Sequence, residues 1–333
     1  MRARVPRQNR PMRRTPLATL APLAAAALAA LAACRTAGPV APAAELPSAP
    51  APAPVAPPPA PVREPRIALV LGGGAARGFA HIGVIRVLEQ ERIPVDLVVG
   101  TSVGSLIGAL YASEKDSFDL EWTAFQLQQD DLFDFRLVNA VMGMGYAKGE
   151  KLDAFVRAKV KQPNIEQLKV PFAAVATDLN WGTRVVIDRG PVAPAVRASS
   201  AIPGIFEPVG HMGKLLVDGG VVDNIPIDVA REKGADVVIA VDISEDVGNT
   251  SIRNALDVIL QATNIMFAEN VAHRKQGADV LVQPDVRGVG MLDFTQKKRC
   301  VQSGIDAARA AMPRVRAAIE AWKAKQAAQR PRA

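Results

Sequence analysis

Cysteine, histidine and tyrosine are scarce in this chain of 333 residues, which contains two, three and two of them. One cysteine, Cys34, directly follows an N-terminal leader and is expected to be modified, so Cys300 has no free thiol as a disulfide partner within the mature chain. No histidines, cysteines and carboxylates cluster at the spacing of metal ligands. We therefore expect neither a disulfide-stabilised fold nor a metal site, and nothing indicates another cofactor.

The formal net charge is +7, but the chain after Cys34 has almost no excess of basic over acidic residues. Six of the 40 basic residues are arginines that precede Cys34, where no acidic residue occurs. The remaining 34 basic residues are balanced by 33 acidic ones. This balance gives no electrostatic footprint for nucleic acid, and we expect no nucleic-acid partner. A hydrophobic content of 49% instead suits a globular protein with a sizeable core.

The leader has a basic start and an apolar, alanine-rich stretch, Leu17–Ala33, which is short for a membrane-spanning helix. It ends in Leu-Ala-Ala before Cys34, and small residues before a cysteine resemble the lipobox of bacterial lipoproteins. The resemblance implies a lipoprotein signal peptide at residues 1–33 and lipidation of Cys34. The alternative is an ordinary signal peptide with an incidental cysteine.

The residues after Cys34 predict where the protein is held and how. Arg35 stands where lipoproteins retained at the inner membrane usually have an aspartate. We therefore expect a lipid anchor in the outer membrane of a bacterial cell envelope, with the protein facing the periplasm. Residues 34–65 are rich in proline and alanine, which predicts an extended tether of about 3 Å per residue between anchor and folded domain.

The central motif of the folded part is Gly100-Thr101-Ser102-Val103-Gly104, between the apolar run Leu97–Val99 and a helix-patterned segment. A strand, GxSxG and a helix in this order are typical of a nucleophile elbow, in which a sharp turn exposes the serine hydroxyl. The glycines leave room for the crossing strand and helix. The alternative is a small-residue turn that happens to contain serine.

A glycine-rich loop, Gly72–Gly78, follows the first apolar strand and precedes another helical segment. Strands alternating with helices predict an α/β fold with a parallel sheet. The backbone N–H groups of such a loop suit an oxyanion hole, to which Arg77 adds a positive charge. A dinucleotide loop is disfavoured because Arg77 stands where G-x-G-x-x-G requires glycine.

The general base that would take the proton of Ser102 is harder to identify, because the chain has only three histidines. For His81, His211 and His273 the sequence context favours structural roles. Asp218 ends a strand and is followed by Gly219 and Gly220, at the kind of sheet edge where α/β sites gather. An aspartate that accepts directly from Ser102 would make a two-residue catalytic centre. The alternative is a capping or turn aspartate.

Five sequence blocks together resemble the patatin-like phospholipase family over about Arg66–Asp285. They are LVLGGGAARGFAHIGVIRVLE, VVGTSVGSLIGAL, ATDLNWGTRVV, RASSAIPGIFEPV and LVDGGVVDNIPIDVAREKGADVVIAVDI. The resemblance implies a three-layer α/β/α fold with a mainly parallel central sheet. We place the catalytic domain at residues 66–290 and a C-terminal helical extension at residues 291–333.

The same resemblance implies a Ser–Asp dyad of Ser102 and Asp218. Gly73, Gly74 and Ala75 align with the oxyanion loop of the family, with Arg77 beside it. Bacterial relatives commonly have another glycine in place of Ala75, so a positive φ at this residue would strain the loop.

The implied reaction is hydrolysis of acyl esters in membrane phospholipids or other lipids, as by a phospholipase A or lysophospholipase. One alternative is an esterase, thioesterase or acyltransferase that uses the same dyad. Another is a weakly active envelope lipoprotein that binds lipid or a partner. The sequence leaves the oligomeric state open.

Two further segments give structural expectations. Asp116–Lys148 is rich in aromatic and methionine residues and predicts one or two helices and a loop near the elbow, as a lid, an acyl-binding wall or ordinary packing. Thr295–Gln326 predicts a C-terminal helix that is broken near Pro313.

Overall fold

Buried apolar strands alternate with helices along the chain. The computed structural model describes residues 63–132, 134, 145–244, 248 and 252–329. The strands are β1 (Ile67–Leu71), β2 (Leu97–Thr101), β3 (Gly145–Ala147), β4 (Phe172–Asp178), β5 (Thr183–Ile187), β6 (Gly204–Phe206), β7 (Val209–His211), β8 (Lys214–Asp218), β9 (Val237–Val241) and β10 (Val280–Val282). The helices are α1 (Phe79–Gln90), α2 (Val103–Glu114), α3 (Ser117–Gln126), α4 (Gln129–Leu132), α5 (Glu150–Lys159), α6 (Val192–Ser199), α7 (Ile227–Glu232), α8 (Ala255–Arg274) and α9 (Lys297–Ala328).

The predicted leader and tether, with Cys34, lie outside the described residues. So do residues 133 and 135–144 of the aromatic and methionine-rich segment, which include Phe133, Phe135, Met142 and Met144. Among the helices that the structure describes, none combines the length and the apolar character needed to span a bilayer.

The central sheet is mixed but mainly parallel. Strands β10, β9, β1, β2 and β4 are neighbours in this order and run parallel. Strands β5 and β8 pair with β4 in the antiparallel direction, and β7 pairs with β8. Helices cover both faces, which confirms the predicted three-layer α/β/α fold. Strands β3 and β6 form a separate parallel pair that the sequence did not predict.

Strands β2 and β8 meet end to end beside β4. Strand β2 pairs with the first part of β4 and ends with Thr101 opposite Val175. Strand β8 comes from the opposite direction and ends with Asp218 opposite Ala176. Strand β5 pairs with residues 174–178 of β4, so β2 and β8 must share its other edge. The residues that follow β2 and end β8 are therefore brought together.

Both faces of β1 are buried, as its unbroken apolar sequence predicts. Ile67, Leu69 and Leu71 pack into a large cluster with α1, α2 and α9. Ala68 and Val70 pack on the opposite face, where α7 contributes Ile227, Val229 and Ala230 to a second cluster. The described core residues all lie within the compact unit Pro57–Ala333.

The C-terminal helix corrects one expectation, because α9 continues through Pro313 without a break. A proline inside a helix removes one hydrogen bond and costs about 3 kcal/mol. Burial of residues on both sides of it, such as Ala308, Met312 and Val315, offsets this cost. Helix α9 also packs closely along α1. The domain boundary at residue 290 remains a prediction.

The crossing of α1 and α9 depends on glycine. A Cβ atom on Gly304 would lie 2.0 Å from the carbonyl oxygen of Ala80, and one on Gly83 would lie 2.1 Å from that of Val301. We expect Gly304→Ala to lower the free energy of unfolding by about 3 kcal/mol, because the two helices must move apart. Urea unfolding measures this change. Gly210→Ala is the control, since a Cβ there meets no atom within 4 Å, and equal stability of both variants would contradict the prediction.

Candidate active site

Ser102 lies at the turn between β2 and α2. Its backbone has φ 55° and ψ −127°, a conformation that a non-glycine residue adopts only when its surroundings enforce it. The residue is 2% exposed and precedes the first turn of α2, where backbone N–H groups favour negative charge. The turn has the strand–serine–helix geometry that the GxSxG pattern predicts.

The two glycines of this motif are required by close approach. A Cβ on Gly100 would lie 2.4 Å from the carbonyl oxygen of Gly104, and one on Gly104 would lie 2.1 Å from that of Leu71. Thr101 is fully buried and donates from Oγ1 to the carbonyl of Asp223 at 2.9 Å. Val103 lines the cavity described below.

The backbone of Ser102 is held by a residue that the sequence analysis did not single out. The Ser102 N–H donates to Ser199 Oγ at 3.0 Å, and this hydroxyl donates to the carbonyl of Val175 at 2.6 Å. Ser199 is fully buried and connects the end of α6 to both the elbow and β4. Its place in the block RASSAIPGIFEPV was visible in the sequence, but these contacts depend on the fold.

Asp218 ends β8 and has no exposed surface. Its Oδ1 accepts from the Gly220 N–H at 2.8 Å. The Ser102 side chain is within hydrogen-bonding reach of the carboxylate and favours its charged form, although Oδ2 has no regularly aligned donor among the described residues. Burial raises the pKa of Asp218 to about 7, and the contacts with Ser102 and Gly220 oppose this rise. The group can therefore change protonation near neutral pH.

Both glycines after Asp218 pack tightly. A Cβ on Gly219 would lie 2.2 Å from the carbonyl of Val175, and one on Gly220 would lie 2.2 Å from the ring of Phe267 in α8. The acid motif, Asp218-Gly219-Gly220, is therefore packed between β4 and α8, which restricts the position of the Asp218 side chain.

The glycine loop corrects part of the predicted oxyanion hole. The N–H of Gly73 is occupied, because it donates to Asn224 Oδ1 at 3.1 Å and to the Asn224 carbonyl at 3.3 Å. The N–H groups of Gly74 and Ala75 have no acceptor among the described residues. The loop therefore offers two free amides, from Gly74 and Ala75.

Ala75 has a φ of 50°, in the left-handed region that disfavours side chains. The sequence predicts that a positive φ at Ala75 would strain the loop, and the structure has this positive φ. The backbone N–H is retained, and Ala75 also lines the cavity beside Ser102.

The structure does not bring Arg77 to the cavity beside Ser102. The side chain is 3% exposed, and its guanidinium donates to the carbonyl of Val289 at 2.8 Å and to Asn264 Oδ1 at 2.9 Å. These bonds connect the glycine loop to α8 and to the loop before α9. The position of Arg77 in the sequence suggested that it supplies positive charge to the oxyanion. In the structure its hydrogen bonds instead hold the glycine loop against the neighbouring elements.

Two buried polar side chains, Asn224 and His81, form hydrogen bonds with the carbonyl groups of Gly73 and Gly72. Asn224 is 1% exposed and returns a third hydrogen bond to this loop, from Nδ2 to the Gly73 carbonyl at 3.3 Å. His81 Nε2 lies 2.8 Å from the Gly72 carbonyl and must donate to it, which assigns the proton to Nε2. Burial lowers the pKa of His81 to about 4, so the imidazole is neutral at neutral pH.

The other two histidines lie in other elements of the fold. His273 is largely exposed on α8 and lies 2.8 Å from Glu269. His211 lies in the β7–β8 hairpin. Neither residue lines the cavity at Ser102.

A small apolar cavity opens beside Ser102. Leu127 and Leu132, from the first part of the segment Asp116–Lys148, lie in its wall, and a lid role for this segment remains a prediction. The lining residues are Ala75, Phe79, Ser102, Val103, Leu106, Ile107, Leu127, Leu132, Leu152, Ser200, Ile202, Phe206 and Phe294. Two serine hydroxyls are thus surrounded by aliphatic and aromatic side chains.

A match to a known protein family covers the part of the chain that contains this site. Residues 69–231, which contain the glycine loop, Ser102 and Asp218, match the family model described as patatin-like phospholipase. This region is therefore similar to the patatin-like phospholipase family.

Among the curated relatives of this chain is an uncharacterised NTE family protein of Mycobacterium bovis. It is 39% identical over 181 residues, which cover 54% of this chain and 49% of the relative. A lysophospholipase, NTE1 of Mycosarcoma maydis, is 38% identical over 189 residues, covering 56% of this chain and 10% of that protein. The chain thus spans about half of the first relative and a small part of the second.

A solved structure with a similar chain course is VipD from Legionella pneumophila. It has a TM-score of 0.44 and 12% sequence identity, and the match covers 75% of this chain and 67% of VipD.

Proposed function

We propose that this protein hydrolyses acyl esters of membrane phospholipids or lysophospholipids, with Ser102 as nucleophile and Asp218 as base. The observation that carries the proposal is the end-to-end meeting of β2 and β8, which sets a strained serine beside a fully buried carboxylate at an apolar cavity. The lysophospholipase of Mycosarcoma maydis among the relatives supports the same class of substrate.

The reaction begins when Ser102 Oγ attacks the ester carbonyl carbon and Asp218 accepts its proton. The N–H groups of Gly74 and Ala75 donate to the oxyanion of the tetrahedral intermediate, at the positive end of α2. The carbon–oxygen bond to the alcohol breaks, and the leaving oxygen takes the proton from Asp218. Asp218 then deprotonates a water molecule that attacks the acyl-enzyme, and Ser102 regains its proton.

The apolar cavity is the site we assign to the acyl chain. Side chains from α2, from the α3–α4 region and from the segment after α6 converge on it. Transfer of a fatty acyl chain into such surroundings is favourable at about 25 cal/mol per Å² of buried apolar surface.

The N-terminal region completes the proposal. We infer that Cys34 is lipidated and that residues 34–65 tether the domain to the outer membrane on its periplasmic side, because the leader has the basic, apolar and small-residue parts in order. Stable anchoring takes at least two acyl chains or a second membrane contact.

Asn224 is a positioning residue in this scheme. We expect Asn224→Ala to lower kcat on a soluble ester about tenfold or more with little change in KM. Without the Asn224 side chain, Gly73 loses two hydrogen bonds, and the N–H groups of Gly74 and Ala75 are no longer held in position to donate to the oxyanion. The pH dependence should keep its midpoint, since Asp218 is untouched. Steady-state kinetics measures all three quantities. Asn164→Ala, at a distant turn, is the control, and a raised KM with unchanged kcat would contradict the role.

Relief of the strain at Ala75 gives a separate prediction. Ala75→Gly should raise the free energy of unfolding by about 1 kcal/mol, because glycine adopts positive φ without steric cost while keeping the amide donor. Urea unfolding measures the change, and hydrolysis of a soluble ester should be retained. Lower stability of the variant would show that the left-handed conformation is not strained.

The proposal is tested by following fatty-acid release from phospholipid vesicles and hydrolysis of a p-nitrophenyl ester by the full chain. Release of fatty acid, with product analysis identifying the broken bond, is the expected result. Activity on the soluble ester alone would support a general esterase. Lipid binding that is unaffected by Ser102→Ala, with no turnover of either substrate, would overturn the hydrolase proposal in favour of a binding protein.

A further inference from the structure

We propose that two turns at one end of the sheet dock on a phospholipid surface through Leu179, Trp181 and Met212, here called the tip surface. This inference rests on the proposed function, since it concerns how a lipid hydrolase reaches its substrate. It adds a membrane contact within the folded domain, separate from any anchor at Cys34.

The tip surface exposes large apolar side chains to an unusual degree. Trp181 is 80% exposed, Met212 is 86% exposed and Leu179 is 47% exposed. Single exposed apolar residues are common on proteins, but three of them in two adjoining turns are not explained by packing. Tryptophan in particular is enriched where a protein meets the interface between lipid and water.

The two turns are joined to each other by a hydrogen bond and by an ion pair. The Leu179 N–H donates to the Leu215 carbonyl at 2.8 Å, which connects the turn after β4 to the start of β8. Asp178 is 1% exposed and binds the Asn180 N–H at 3.1 Å and Lys214 Nζ at 3.1 Å. Because the turns are already ordered, docking on a surface costs little conformational entropy.

The tip surface lies on the side of the molecule toward which β2 and the strands parallel to it point. Strand β4 is parallel to β2 and continues four residues from Val175, the partner of Thr101, to Leu179. At about 3.3 Å per residue, the turn begins about 13 Å beyond the end of β2. A lipid surface that approaches the carboxyl ends of the parallel strands therefore meets these turns.

The charge of the two turns suits a phospholipid surface. Residues 179–183 and 210–214 contain no carboxylate, and their titratable groups are His211 and Lys214. The carboxylate that balances Lys214, Asp178, is buried beneath the turn. Anionic headgroups are therefore not repelled, and the membrane field favours the basic side chain.

The test uses tryptophan fluorescence in the full chain with Ser102→Ala and Cys34→Ala, so that neither turnover nor lipidation contributes. Adding Trp122→Phe and Trp322→Phe leaves Trp181 as the reporter, since the chain has three tryptophans. The matched control adds Trp181→Phe and Trp322→Phe and leaves Trp122, which is 63% exposed on α3. Both are mixed with phosphatidylcholine–phosphatidylglycerol vesicles, with and without brominated acyl chains.

We expect the emission of Trp181 to shift to shorter wavelength and to be quenched by the brominated lipid, while that of Trp122 stays unchanged. An unresponsive Trp181, or an equal response of Trp122, would overturn the proposal. In the active chain, Trp181→Ser with Met212→Ser should lower hydrolysis of vesicles about tenfold and leave that of a soluble ester unchanged. A wild-type chain without any hydrolysis would contradict the proposed function, whereas the fluorescence result tests docking independently.

Discussion

Ser102→Ala and Asp218→Asn should each lower kcat/KM on phospholipid and on a soluble ester by about 10³-fold or more. The alanine removes the atom that forms the acyl-enzyme. The asparagine keeps an oxygen that can accept from the Gly220 N–H but cannot take up the serine proton. Because the two residues act as a unit, the double variant should be little worse than either single variant.

The measurement is the initial rate of product release at matched protein concentration, with unfolding curves recorded for each variant. Ser113→Ala is the control for the serine, because this residue is buried in α2, the helix that follows Ser102, and its hydroxyl donates to Gln162. Asp242→Asn is the control for the carboxylate, as a buried aspartate just after β9. Losses in Ser102→Ala and Asp218→Asn no larger than in the controls would contradict the dyad.

The activity should rise with pH through a midpoint near 7. Burial raises the pKa of Asp218 to about 7, and only the ionised carboxylate can accept the proton of Ser102. The pH dependence of kcat/KM reports this group in the free enzyme. Activity that is already maximal at pH 5 would show that the base has an ordinary carboxyl pKa.

The same group should make the fold less stable as pH rises. In the unfolded chain Asp218 loses its proton near its ordinary pKa of 3.8, whereas in the folded chain it keeps the proton until about pH 7. Between these values the folded state binds more protons, so the free energy of unfolding falls with rising pH. The loss is complete above pH 7 and amounts to at most about 4 kcal/mol.

This stability effect is measured by urea unfolding of the wild type and of Asp218→Asn at pH 5 and pH 8. The asparagine variant lacks the buried charge, so its stability relative to the wild type should increase from pH 5 to pH 8. The comparison subtracts the titration of all other groups. An unchanged difference between the two proteins at both pH values would contradict a raised pKa at Asp218.

The strands, the elbow and the acid motif were predictable because their signals are local. Unbroken apolar runs such as Ile67–Leu71 indicate buried parallel strands, and GxSxG specifies a turn through steric limits within five residues. The meeting of Ser102 and Asp218 required more, because it depends on β2 and β8 sharing one edge of β4. The family resemblance supplied that pairing before the fold did.

The errors arose where a side chain or amide has a distant partner. Arg77 was expected at the oxyanion, but its hydrogen bonds go to Asn264 and Val289, which are remote in sequence. Gly73 was expected to donate to the oxyanion, but Asn224 occupies its N–H from 151 residues away. Pro313 was expected to break its helix, because propensity alone does not include the packing of α9 on α1.

The most direct test of the account is covalent labelling with a fluorophosphonate, followed by peptide mass spectrometry. The reagent forms a bond from an activated serine oxygen to phosphorus and releases fluoride. We predict one phosphonyl group per chain, located on Ser102, with labelling abolished by Ser102→Ala and strongly slowed by Asp218→Asn. Absence of labelling in the folded wild type, or a label on another serine, would contradict the assignment of Ser102 as the nucleophile.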